Sequence, residues 1–312
     1  MTTTYAGTVH SLGIIFIMLG SFWSCEGCDP NTDKPTHRDD SVKSNVAPQT
    51  SAIHRRLNSA QERLTKGGAG GQLIAKSIKA HGGLETWLRQ ASLAFDFDYQ
   101  PIAQPERHMH TRNYVYLRSA WARQQELGDA APLATLGWNG KVAWITPSAE
   151  AFPAPARFWA LTPYYFVGVP WVFANPGIRY KKLDDVLLDG KRMHRVHISF
   201  GDNIGDAPDD YYEVFINAQN FRVTGLLYIV SYPGFFKPGE HSPEKFMRYL
   251  NYTDVDGLWF AQRYDAFLWD RQREAPGKKV SDVNIRIINV STTVDKTRFE
   301  PPEGAVISDA IN

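Results

Sequence analysis

The sequence predicts an α+β protein in which helices precede one strongly curved antiparallel β half-barrel of about ten or eleven strands. Three observations predict this fold. Apolar residues recur at helical spacing before residue 90, they alternate with polar residues from residue 92 onward, and turn dipeptides punctuate the remainder of the chain. Helices followed by a long series of strands are typical of a sheet with the helices on one side.

The first helix is predicted over residues 52–65, where apolar side chains recur every three or four positions at Ile53, Leu57, Ala60 and Leu64. The glycine-rich run 67–71 predicts a break. A second helix over 72–80 ends at Gly82-Gly83, and we expect His81, at its C-terminal end, to be a protonated structural residue.

Strands begin at Ser92, where apolar and polar residues alternate as far as Tyr99. Asn139-Gly140 predicts a two-residue hairpin, because both residues tolerate the positive φ angles that such a turn needs. Asp189-Gly190 and Asp256-Gly257 predict two further hairpins. Further predicted strands lie at 211–216, 221–231 and 280–290.

The chain begins with an expected export signal. The apolar segment 12–23 is shorter than the roughly 20 residues needed to span a bilayer, so it indicates a signal peptide over 1–24. Ser24 before Cys25 is typical of a lipoprotein signal, which predicts palmitate or another fatty acyl group on Cys25. An ordinary cleaved signal is the alternative, because Phe22 and Trp23 are bulkier than usual. The polar segment 25–51 is interpreted as a flexible tether, followed by one domain over 52–312.

Composition narrows the function classes. The only cysteines are Cys25 and Cys28, so the predicted domain cannot depend on disulfides. The net charge is +1, with 34 basic and 33 acidic residues, and no basic stripe occurs, which argues against nucleic acid as a partner. We expect a monomer in the cell envelope, as an outer-membrane lipoprotein facing the periplasm or at the cell surface, held by its lipid anchor.

One segment fits neither a long helix nor a strand. Residues 152–173 carry eight aromatic residues and four prolines, with Arg157 as the only charge. Because proline interrupts helices and central strands, we expect short turns and helical fragments here. The apolar composition predicts a lid over the concave face of the sheet.

Several short motifs resemble the LolA/LolB-like lipoprotein carrier and receptor superfamily. They are Ala80-His81-Gly82-Gly83 followed by Trp87, the hairpin NGKVAWI, the strand pair YYEVFINAQNFRV, the segment DVDGLWFAQRY and the terminal RFEPPEGAVI. The first motif resembles the opening of uncharacterised bacterial outer-membrane lipoprotein-sorting-protein-like lipoproteins. The resemblance implies an unclosed half-barrel around an apolar cavity, and carriers, receptors and stress sensors share this fold.

We therefore expect a lipid, an acyl chain or another apolar molecule as the ligand, bound without being transformed. The predicted binding residues are aromatic and lie in the lid, on strands and in the loop 232–238: Phe158, Trp159, Tyr164, Tyr165, Phe166, Trp171, Phe173, Trp138, Trp144, Trp259, Phe235 and Phe236. The alternative is that these rings fill the core.

Two other function classes remain open. His108 and His110 lie two apart on a predicted strand and could bind one metal ion with Asp96 or Asp98, as in a metal-dependent hydrolase. The second open class is a non-catalytic envelope sensor or interaction module. The sequence carries no standard catalytic motif, so we predict neither a catalytic residue nor a cofactor.

Overall fold

The computed structural model describes residues 46–129, 133–201, 205–207 and 209–310. The predicted signal peptide, Cys25 and most of the predicted tether lie outside these residues. The α-helices are α1 (Val46–Lys66), α2 (Gly68–Ala80), α3 (Leu84–Arg89) and α4 (Ala156–Val167). None of these described helices is both long enough and apolar enough to cross a membrane.

All described strands belong to one open antiparallel sheet of 13 strands. Its strands are β1 (Ser92–Pro101), β2 (Met109–Tyr116), β3 (Trp121–Glu126), β4 (Thr135–Trp138), β5 (Val142–Thr146), β6 (Ile178–Leu188), β7 (Lys191–Phe200), β8 (Tyr212–Asn217), β9 (Val223–Tyr228), β10 (Lys245–Val255), β11 (Leu258–Asp270), β12 (Ala275–Ser291) and β13 (Val306–Ala310). The spatial order is β13-β5-β4-β3-β2-β1-β12-β11-β10-β9-β8-β7-β6.

This architecture confirms the predicted α+β half-barrel, although the strand number exceeds the expected ten or eleven. The strand β13 has no sequence signal of its own. Its Val306 and Ile307 are exposed, and it forms by pairing with β5, in register Val306 to Ile145. The pairing partner is distant in sequence, so no local pattern predicts it.

The hairpin turns form where the sequence predicts them, but the tip of the β4–β5 turn is displaced by one residue. Asp189 and Gly190 have φ angles of 52° and 72°, as a two-residue turn requires. In the β4–β5 hairpin the Asn139 N–H donates to Val142 O at 3.4 Å, so Gly140 and Lys141 form the tip. Asn139 Oδ1 accepts hydrogen bonds from the backbone N–H groups of Lys141 and Val142, both at 3.0 Å.

The predicted glycine break between the first two helices is shorter than expected. Only Gly67 separates α1 from α2, and α1 reaches into the segment interpreted as tether. Gly71 of the same run serves helix packing. A Cβ at Gly71 would lie 2.1 Å from Leu64 O, so the two helices approach more closely than any side chain allows.

The aromatic segment forms more helix than expected. α4 is a 12-residue helix with Pro163 inside it, and every residue of α4 is buried. Proline cannot donate the backbone hydrogen bond of a helix interior, which destabilises α4. The free energy gained by burying apolar side chains on all sides of the helix offsets this loss. α4 packs against β2 to β5 and β13, and the short 3-10 helix Trp171–Ala174 follows it. The segment is therefore part of the core, covered by the sheet.

Candidate functional site

A cavity of about 700 Å³ opens where the helices meet the turns at one end of the sheet. One face of α1 lines it, together with α3, α4, the β2–β3 and β4–β5 turns and the segment after α4. The lining side chains are mostly apolar or positively charged: Ala52, Arg55, Arg56, Ser59, Ala60, Arg63, Leu84, Trp87, Leu88, Leu117, Arg118, Ser119, Ala120, Trp121, Trp138, Asn139, Gly140, Lys141, Arg157, Leu161, Tyr164, Trp171, Ala174, Asn175 and Pro176.

Tryptophans form much of the apolar wall. Trp87 of α3 stacks on Trp171, with ring centroids 4.7 Å apart and ring planes 7° from parallel. Trp171 also contacts Phe260 at 5.2 Å, which ties the wall to β11. Trp121 lies edge-on to Tyr116 at the β2–β3 turn. The wall thus consists of rings held by other rings.

Helical spacing places positive charges beside this wall. Arg55, Arg56 and Arg63 lie on the α1 face that lines the cavity, while Arg118 and Lys141 come from two strand turns. Among the described residues, no Asp or Glu lines the cavity. The opening is therefore positively charged although the whole chain is nearly neutral.

Arg157 is the most enclosed of these cations, and its charge is compensated. Its Nε lies 2.5 Å from Asp206 Oδ2, and its Nη2 donates to Asp206 Oδ1 at 2.6 Å. The guanidinium also lies over the Trp138 ring, 4.0 Å from the centroid. This residue therefore closes the floor of the cavity.

The other arginines are less compensated. Burial lowers the pKa of Arg56, and the nearby positive charge of Arg118 lowers it further. Burial also lowers the pKa of Arg63, whose Nη2 donates to Ala174 O at 2.9 Å. Within the described part of the chain, neither Arg56 nor Arg118 has an ion pair.

Three of the twelve predicted binding residues line this cavity: Trp138, Tyr164 and Trp171. Five others are buried in the main hydrophobic core: Phe158, Trp159, Tyr165, Phe166 and Phe173. A sixth, Trp144, is buried outside that core, because its β5 neighbours Ala143 and Ile145 point into the core and side chains alternate along a strand. Trp144 Nε1 donates to Phe299 O at 2.9 Å. None of these six side chains lines the opening.

The remaining three predicted residues lie elsewhere. Trp259 is half-buried under the Arg222 guanidinium, which lies 3.8 Å from its ring centroid. Phe235 and Phe236 are half-buried against the core, and Phe235 contacts Phe158 at 5.3 Å. The fold does not bring these rings to the cavity with Trp138 and Trp171.

The histidines considered for a metal site do not gather the carboxylates into a set of metal ligands. His108 pairs with Asp98, whereas Asp96 accepts from Arg112 at 2.8 Å and also pairs with Arg286. Across the residues that the structure describes, no group of three or more His, Cys, Asp or Glu side chains could hold a metal ion. His110 is exposed on β2.

His81 differs from the expectation of a charged residue. It is fully buried, and desolvation lowers its pKa to about 4, so it is neutral near pH 7. Its Nδ1 lies 2.8 Å from Ser77 O, and the ring contacts Trp171 edge-on, with centroids 5.9 Å apart. His81 is therefore a neutral core residue that packs against the tryptophan wall.

Sequence reasoning missed the arginines and Trp87 and Trp121. The spacing of Arg55, Arg56 and Arg63 on α1 was a usable signal, because these residues share a face beside the apolar one. The sequence around Arg118 contains no comparable signal. Arg118 lies beside the α1 arginines only because the fold brings the β2–β3 turn to the same cavity.

No family model matches the chain, and no curated protein matches it. Solved structures do. A LolA superfamily protein from Nitrosomonas europaea is 11% identical with a TM-score of 0.47, covering 74% of this chain and 97% of that chain. A DUF1329 family protein from Desulfovibrio piger is 10% identical with a TM-score of 0.42, covering 80% and 97%.

A putative outer membrane lipoprotein-sorting protein domain from Vibrio parahaemolyticus is 11% identical with a TM-score of 0.40, covering 72% of this chain and 97% of that chain. At these identities the likeness concerns the fold alone. In fold, the chain is similar to these solved structures of a LolA superfamily protein and of a lipoprotein-sorting protein domain.

Proposed function

We propose that this protein binds a lipid or acyl chain in the cavity between α1, α3, α4 and the strand turns, and releases it unchanged. The observation that carries the proposal is the tryptophan-lined opening beside a core filled with aromatic rings. Its volume of about 700 Å³ lies in the range typical of small-molecule sites. Large aromatic faces accept a flexible chain without requiring fixed hydrogen bonds.

The lining divides the cavity into two parts. Trp87, Trp171, Leu84, Leu88 and Leu161 offer apolar surface for hydrocarbon, while most of the polar groups lie on α1 and the turns. Each buried methylene contributes about 0.8 kcal/mol, so a chain of several carbons gains appreciable affinity here. This division suits an amphipathic ligand.

The binding test uses the tryptophans as reporters. Monoacylglycerol with a brominated acyl chain quenches tryptophan fluorescence on contact, so a saturable decrease in fluorescence measures binding. In Ser59→Phe, an exposed residue of the lining is replaced by a ring that occupies the opening, and we expect affinity to fall about tenfold, equivalent to about 1.4 kcal/mol.

Asn58→Phe is the matched control, because Asn58 is also exposed on α1 but does not line the cavity. It should bind as the parent does. Absence of saturable quenching in the parent, or equal affinities for the two variants, would contradict binding at this site.

We also propose that a fatty acyl group on Cys25 holds the protein at a membrane of the cell envelope. Support comes from the signal-like segment before Cys25 and from a ligand that would itself reside in membranes. Metabolic labelling with palmitate should mark the parent and Cys28→Ser, while Cys25→Ser should lose the label. Label that persists in Cys25→Ser would exclude acylation at that residue.

A further inference from the structure

The cavity carries a charge distribution that a purely apolar ligand does not explain. Five arginines and one lysine line it, and among the described residues no carboxylate does. The whole chain has 34 basic and 33 acidic residues, so the excess is local. Placing like charges together beside an apolar wall costs free energy unless an anion offsets it.

The cations differ in how far the protein itself compensates them. Arg157 has its carboxylate in Asp206, and Arg63 donates to Ala174 O. Arg55 is exposed and donates to Ser51 Oγ at 3.4 Å. Arg56 and Arg118 remain, half-buried, on α1 and on the β2–β3 turn that borders the same opening.

Arg118 shows the missing partner most directly. Its Nε is buried and finds no hydrogen-bond acceptor within the part of the chain that the structure describes. Arg56 is close enough that the charge of Arg118 lowers its pKa. Two guanidinium groups in this arrangement present several N–H donors to one oxyanion, and arginine binds carboxylates and phosphates through such sets of donors.

We infer that the cavity selects an anionic amphiphile, in which a phosphate or carboxylate headgroup lies between Arg56 and Arg118 and the acyl chain lies against the tryptophan wall. This inference rests on the proposed acyl binding and specifies its ligand class. The apolar wall of Trp87 and Leu88 borders the same opening as both arginines, so one molecule can reach both parts. Lys141 at the β4–β5 turn adds a further positive charge at the rim.

The test compares two ligands that differ only in the headgroup phosphate, lauroyl lysophosphatidic acid and monolauroylglycerol, by isothermal titration calorimetry on the parent. We expect the phosphate-bearing ligand to bind at least about tenfold more tightly at low ionic strength, because charge-assisted hydrogen bonds are roughly twice as strong as neutral ones. Added salt should reduce this preference.

The double variant Arg56→Gln, Arg118→Gln should lose the preference and bind the two ligands with similar affinities. The control Lys237→Gln, Arg273→Gln removes the same charge from exposed positions outside the cavity and should keep the preference. Unchanged melting temperatures would establish that both variants are folded.

The outcomes separate the two proposals. Equal affinity of the parent for both lipids overturns the inference and leaves acyl binding intact. Binding of neither lipid overturns both. Inorganic phosphate binding as tightly as the lysophosphatidic acid would overturn the lipid assignment, because the ligand would then be a free anion. Laurate, bound in preference to monolauroylglycerol, would support the inference for a carboxylate headgroup.

Discussion

Gly82 is the residue on which the close contact between the helical segment and the β10–β11 turn depends. Its φ angle is 106°, and a Cβ there would lie 1.9 Å from Gly257 O in the β10–β11 turn. Trp259 N donates to His81 O at 3.0 Å beside this contact. The glycine therefore provides both an unusual backbone conformation and the space for close approach.

Substitution of this glycine and its neighbour separates the two effects. Gly83 has a φ angle of 89°, but a Cβ added there would have no atom within 4 Å, so Gly83→Ala introduces backbone strain alone, costing about 1 to 3 kcal/mol. Gly82→Ala adds a steric clash and should lower the free energy of unfolding by more. Urea denaturation measures both variants, and equal losses would refute the close approach.

Asp210 should make stability depend on pH. The carboxylate accepts from Ser231 N at 2.6 Å and Ser231 Oγ at 2.8 Å, yet burial dominates and raises its pKa to about 7. The folded state then binds a proton that the unfolded state releases between about pH 4 and pH 7. The contribution of this group to stability falls as pH rises through that window.

The variant Asp210→Asn removes this dependence. Its stability relative to the parent should be greater at about pH 8 than at about pH 5, by an amount no greater than about 3 kcal/mol. Chemical denaturation at the two pH values gives the difference, with Asp256→Asn, at an exposed position of the β10–β11 turn, as control. A difference that does not change with pH would place the pKa of Asp210 near its ordinary value.

At the scale of elements, α4 should behave as core. All of its residues are buried, and Phe166 contacts Tyr228 and Tyr264 with centroids 5.5 and 6.5 Å away. Opening α4 would expose these rings, so its amides should exchange with solvent only through global unfolding. Hydrogen exchange measures this, and α4 amides that exchange as fast as those of the exposed turn 237–240 would indicate a mobile lid.

Elements differed in how well the sequence predicts them, for physical reasons. The Asp189-Gly190 turn is predictable because positive φ angles are a local property of two residues. α4 is not, because tertiary burial overrides the effect of Pro163. For the site, Trp138, Tyr164 and Trp171 were predicted from composition. Arg56 and Arg118 were not, because only the fold brings α1 to the β2–β3 turn.

For the whole molecule, an open sheet leaves two edge strands, β13 and β6, whose backbones could pair with other chains. α2 covers part of β6, since a Cβ at Gly70 would lie 3.1 Å from Lys182 N. The exposed side chains of Lys181 and Lys182 protect the strand further, because charges disfavour edge pairing.

Replacing both lysines of β6 should therefore promote association. We expect Lys181→Ile, Lys182→Ile to aggregate on concentration, as light scattering would show. Lys66→Ile, Lys79→Ile makes the same chemical change on exposed helix positions and should remain dispersed. Similar scattering from the two double variants would attribute aggregation to hydrophobicity alone.

The stacked pair Trp87 and Trp171 has an optical consequence. Two indoles 4.7 Å apart, with planes 7° from parallel, couple their electronic transitions. The coupling depends on separation and mutual angle, so any change in the arrangement of the two rings changes their contribution to the circular dichroism of the protein. A ligand that binds against the stacked rings and shifts them would therefore change the amplitude of the circular dichroism spectrum. That change would measure the fraction of protein with ligand bound.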